Sequence, residues 1–181
     1  MKKILYVLRF LMIAFTITGC ASGTKIANMI PNDLLEIKKQ QPYSVRVQAA
    51  GGRETKWWGT SQISDESFHE ALYKSLSKSG VFRQVIKEGG ADYLLDVFIA
   101  GVKQPIMAFN MTVSVTANWK LIDLSNNKVV FEELIPTPYK AGMGESWVGV
   151  KRLRLANEGA VRENIKQGIR RLAELNLEHK K

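Results

Sequence analysis

Between residues 109 and 121, apolar and polar side chains alternate without a break. Phe109, Met111, Val113, Val115, Ala117, Trp119 and Leu121 fall on one side, and Asn110, Thr112, Ser114, Thr116, Asn118 and Lys120 on the other. Successive side chains of a strand point to opposite faces. The run therefore commits the chain to a β-sheet with one buried face and one polar face, the pattern of a sheet covered on one side only. Trp119 sits with the core. Residues 123–127 have turn chemistry, and 128–135 returns as the partner strand of a hairpin.

The rest of the chain has to supply more sheet and its cover. Residues 43–50 alternate, with Tyr43, Val45, Val47 and Ala49 on one side, and Gly51-Gly52 ends the run. Residues 83–87 read as a short strand. Residues 93–102 are strongly β-prone, with Asp96 the only charge, and Pro105 breaks them. A helix starts at Ser64. Ser64 can cap it, Asp65 and Glu66 suit its positive end, and Ile63 can staple to Phe68. Phe68, Leu72 and Leu76 form its buried stripe, and Gly80 stops it. A second helix of about 20 residues ends near Leu177. Val161, Ile165, Ile169 and Leu172 line its buried side, where Gly168 permits a close approach to the sheet. Glu158 with Arg162 and Arg170 with Glu174 are spaced as i, i+4 ion pairs. Residues 136–149, with two prolines and three glycines, read as a long irregular segment. The expected fold is α+β: a two-layer sandwich with a mainly antiparallel sheet of 4–5 strands. Two amphipathic helices cover one face.

The N-terminus carries a different signal. Lys2, Lys3 and Arg9 precede the apolar run FLMIAFTI at 10–17, and Thr18, Gly19 and Cys20 follow. A positive start, a short apolar middle and small residues at the cut describe a secretory signal. The uncharged window from 10 to 23 is too short to span a bilayer, which takes about 20 apolar residues. Ile17-Thr18-Gly19-Cys20 resembles the lipobox of bacterial lipoproteins. That resemblance implies cleavage between Gly19 and Cys20 and acylation of Cys20, the only cysteine. Each buried CH₂ contributes about 0.8 kcal/mol, so several acyl chains hold a protein on a membrane. It also implies, since residue 21 is Ala rather than Asp, an outer-membrane destination with the domain on the periplasmic face. The divisions are then a signal at 1–19, a lipidated tether at 20–42, an α+β domain at 43–178 and a frayed tail at 179–181. Fully extended, residues 21–42 reach about 70 Å. Ile26, Met29, Ile30, Leu34, Leu35 and Ile37 give that arm the means to order partly on the domain.

The full chain carries a formal net charge of +9. Removing 1–19, with three basic residues and no acidic one, leaves about +6 on a chain of ordinary composition. The basic residues are scattered and no nucleic-acid motif occurs, so nucleic acid is not an expected partner. Ala71-Leu72, Leu76, Ser79-Gly80-Val81-Phe82 and Gly90-Ala91-Asp92-Tyr93-Leu94-Leu95 resemble the helix–turn–strand of outer-membrane accessory lipoproteins. These serve lipopolysaccharide assembly, transport and synthase activation. The resemblance is specific over 64–99 and follows element order over 43–177. It implies a non-enzymatic role beside a protein partner and carries over no binding residue.

No reactive constellation is legible. His69 lies beside the apolar stripe of the first helix, and His179 is in the tail. No zinc-ligand spacing exists, and neither Gly51-Gly52 nor Gly142-Met143-Gly144 has the context of a phosphate loop. Glu132 and Glu133 are adjacent on a strand and point to opposite faces. No cofactor is implied. Tryptophan is enriched at interface anchors, so Trp57, Trp58, Met143 and Trp147 are the candidate partner contacts. The basic balance and the apolar strand at 93–102 leave a second reading, a lipid or lipopolysaccharide bound between sheet and helices.

Overall fold

The computed structural model describes residues 23–34, 40–56, 60–105 and 110–177. Five strands make one sheet: β1 (Gln41–Ala50), β2 (Phe82–Ile86), β3 (Tyr93–Lys103), β4 (Met111–Asp123) and β5 (Lys128–Ala141). Their spatial order is β2-β1-β3-β4-β5. Three helices accompany them: α1 (Ile26–Met29), α2 (Asp65–Ser79) and α3 (Gly149–Glu174). β4 carries the expected alternation from end to end, with Met111, Val113, Val115, Ala117, Trp119 and Leu121 buried. α2 and α3 lie on that side, and the other side of the sheet is open.

The expected α+β two-layer architecture holds, and the sheet is mixed. β3–β4 and β4–β5 are antiparallel and form the long ladders. β1 is parallel to both β2 and β3. Parallel neighbours need a crossover rather than a hairpin, and α2 is the crossover from β1 to β2. It begins as expected: Ser64 Oγ accepts the amide of Ser67 at 3.2 Å, Ile63 and Phe68 are buried, and Gly80 closes the helix at φ 68°. Gly51, at φ 90°, turns the chain out of β1, where a Cβ would lie 2.5 Å from the carbonyl oxygen of Ile99. Only glycine fits there.

Two expectations are corrected. First, the segment at 136–149 is not irregular throughout. β5 runs on to Ala141, with Pro136 opposite Thr116 and Pro138 opposite Ser114. Proline interrupts an interior strand because it lacks a ladder donor, but β5 is an edge, where that N–H would face outward. Second, α3 has 26 residues and starts at Gly149, about two and a half turns before the expected helix. Its ion pairs differ too. Within the helix Arg154 pairs with Glu158 at 3.5 Å, and Arg171 with Glu174 at 3.8 Å. Arg162 instead donates to the carbonyl of Asn28 and stacks over the Tyr139 ring. Gly168 does allow a close approach: a Cβ there would overlap the Trp119 ring. Gly159 does the same against Tyr139.

Residues 23–34, the start of the expected tether, pack on the domain. Met29 is fully buried, Pro31 is buried, and Ile26, Ile30 and Leu34 lie against the core. α1 has one turn, too short to stand alone. It is held by the buried carboxylate of Glu158, which accepts the Lys25 amide at 2.8 Å and the Asn28 side-chain amide at 2.6 Å. Asp33 pairs with Lys166 further on. Among the described residues, no helix is long and apolar enough to cross a membrane.

Candidate functional site

The open face of the sheet is built by the registers themselves. One row across it reads Arg46, Leu94, Ile122, Val129; the next reads Gln48, Asp96, Lys120, Glu132; the third reads Ala50, Phe98, Asn118, Leu134. Charge thus lies between two partly apolar rows. Lys120 meets Glu132 at 3.2 Å, and Asn118 donates to the same carboxylate at 2.9 Å. The Asn118 hydrogen bond, then the Lys120 ammonium, hold the Glu132 carboxyl below the usual carboxylate range. These bonds pin the polar row, so the apolar side chains beside it stand out. Phe98 is 50% exposed, Val129 50% and Leu134 58%. Val130, also exposed, falls in the β-bulge that shifts the β4–β5 register between Leu121 and Ile122. A bulge re-aims a side chain out of the regular ladder. Large apolar groups gathered on one exposed face mark an interaction surface more than scattered ones do.

A cleft of about 380 Å³ adjoins this face where β1 ends, lined by Gly51, Arg53, Gln62, Ile63 and the bulged segment 98–102 of β3. Among the described residues that line it, Arg53 alone is charged. Side chains from both layers are buried between sheet and helices. Tyr93, Leu95, Val97 and Ile99, the inward side chains of β3, are almost wholly buried. Trp119 donates its indole N–H to Asn164 at 2.9 Å, and Asn164 in turn donates to the Ile135 carbonyl and to Thr137. A polar network this fully satisfied locks the two layers together.

The residues singled out in the sequence fall in three places. Gly19, Cys20, Trp57 and Trp58 lie outside the described residues. Met143 and Trp147 sit together in the turn between β5 and α3, away from the open face. Met143 is half-buried and Trp147 is 81% exposed. His69 is a structural group, its Nε2 3.2 Å from the Val47 carbonyl of β1. Among the described residues, no three His, Cys, Asp or Glu side chains are placed to hold a metal ion. Sequence reasoning missed Phe98, Val129, Val130 and Leu134. The signal existed for two of them: Phe98 is off the parity of Tyr93, Leu95, Val97 and Ile99, and Leu134 shares the parity of Glu132.

No family model and no curated protein matches this chain. Solved structures share its fold. The protein XCC0632 of Xanthomonas campestris superposes with a TM-score of 0.58 at 14% identity, over 77% of this chain and 87% of that one. The Chlamydia trachomatis protein CT253 superposes with a TM-score of 0.52 at 12% identity, over 72% and 95%. A minor lipoprotein of Acinetobacter baumannii gives 0.49 at 12% identity, over 75% and 93%. At such identities the likeness to the first two is one of fold.

Proposed function

We propose that this chain is an outer-membrane lipoprotein, acylated at Cys20, whose periplasmic α+β domain is a non-enzymatic, partner-binding component of an envelope assembly or transport system. The anchor reading is supported by the basic start, the short apolar run and the Ile17-Thr18-Gly19-Cys20 motif. The partner reading rests on the open sheet face, where Phe98, Val129 and Leu134 stand exposed beside a pinned polar row. Large apolar side chains exposed on one face, beside polar groups already paired with each other, support an interaction surface. A ligand held between sheet and helices finds less support, because buried side chains occupy that layer.

Photo-crosslinkers placed at Phe98 and at Leu134 in cells test the partner reading. Both should trap the same envelope protein, while one at Gln167, exposed on the helical side, should not. Equal trapping at all three positions, or none at the first two, removes the sheet face as the docking surface. Cys20→Ser tests the anchor: the variant should lack acyl mass and leave the membrane fraction. A Cys20→Ser protein that is still cut and still floats with membranes would end the lipoprotein reading.

A further inference from the structure

The docked arm limits which end of the domain an anchor at Cys20 could reach. The arm runs alongside α3 in the same direction: Lys25 meets Glu158, and eight residues on Asp33 meets Lys166. Followed backward, it therefore leads toward the N-terminal end of α3. Gly23 already touches Thr55, just beyond β1, with 3.6 Å from its would-be Cβ to the Thr55 hydroxyl. Cys20 is three peptide units before Gly23, a reach of at most roughly 11 Å at 3.8 Å per unit. From Glu158 back to Val148, α3 extends a further ~15 Å at 1.5 Å per residue.

The tip at that end is apolar and bare. Trp147 is 81% exposed, Val148 56% and Val150 40%. The turn that carries them is rigid. Buried Arg152 donates to the carbonyls of Ser146 and Trp147, both at 2.9 Å, and Glu145 accepts the Gly142 amide and the Tyr139 hydroxyl. Exposed Lys25, Lys56 and Lys151 lie toward this end, against Glu54 and Glu145.

We infer that the Trp147–Val148–Val150 tip seats in the head-group layer of the membrane and gives the domain a second contact beside the lipid. Tryptophan prefers that depth, where its ring is apolar and its N–H stays wet. A single flexible attachment leaves a domain free to tumble; an anchor about three residues from a docked arm does not. The inference rests on acylation of Cys20, and it places the open sheet face to the side of the membrane rather than against it.

The acylated full-length protein, reconstituted in vesicles of phosphatidylethanolamine and phosphatidylglycerol, tests it. Acylation blocks the Cys20 thiol, so in Trp147→Cys an environment-sensitive fluorophore reports position 147 alone. Lys128→Cys reports the opposite end of the sheet. Lipids with a nitroxide near the head group should quench the label at 147 by most of its emission and leave the label at 128 bright. Equal quenching at both positions, or none at 147 in a protein that floats with the vesicles, overturns the seating and leaves the lipoprotein intact. A label at 147 that is shielded only after an envelope protein is added also overturns it, and makes the tip a protein contact. A protein that carries no acyl mass and does not float removes the anchor, and the inference with it.

Discussion

Asn164 does more for this fold than its polar side chain suggests. It faces the sheet from the buried side of α3, accepts the Trp119 indole N–H and donates to Ile135 and Thr137. Asn164→Leu keeps the branched shape with slightly more bulk and removes every hydrogen bond the side chain makes. One buried donor left unpaired costs roughly 1–3 kcal/mol, so we expect about 2 kcal/mol or more of lost stability, read as a lower urea midpoint at an unchanged slope. A second residue sets the behaviour at high pH. Burial, and then the carboxylate of Asp123, push the Tyr93 hydroxyl up to about 12. Above its ordinary value near 10 the unfolded chain gives up this proton and the folded chain keeps it. Stability from Tyr93 is therefore complete below pH 10 and falls as pH rises from about 10 to 12. In thermal melts across that range, Tyr93→Phe should show a shallower fall than the natural protein.

At the level of elements, the polar attachment of the arm centres on Glu158. Glu158→Ala removes the acceptor of the Lys25 amide and the Asn28 side chain and leaves Arg154 without its carboxylate. Truncating one member of a buried charged cluster is far more costly than losing a surface pair. We expect residues 23–34 to become rapidly cleaved by protease and to lose amide protection while β3 and β4 keep theirs; equal loss in both regions would mean that the arm is not a separate unit. Such elements also show what can be read from sequence. β1, α2, β3 and β4 were legible because each has its own period and its own stops: Ser64 and Gly80 around α2, the unbroken alternation of β4. β5 reads short in the sequence because Pro136 and Pro138 stop a strand only when both its sides are paired, and edge position is a property of the sheet. α3 was shortened because Gly149 and Gly159 are poor helix residues on their own. The need for Gly159 appears only once Tyr139 lies under it. The open-face residues were hidden for a related reason: exposure depends on which side the helices take.

For the molecule as a whole, one helical layer leaves one free face, and the registers decide what that face presents. Phe98 and Leu134 flank Asn118 in one row, from strands on either side of β4. Replacing both by Ser should change stability little, since exposed strand positions differ within about 1 kcal/mol. It should abolish crosslinking of a partner to that face while acylation and flotation stay as they were. If the crosslinks survive the double substitution, the partner docks elsewhere.

The two edge prolines have one more consequence. On the acylation proposed above, the protein would meet its own copies at the high local density of a surface, which favours weak self-contacts. Bare strand edges are the usual place where such copies join, each adding to the next sheet. At Pro136 and Pro138 the outer edge of β5 has no amide hydrogen to offer, so an incoming strand would lose two consecutive ladder bonds. Crowded copies are thereby kept from zipping into a continuous sheet along this stretch of β5.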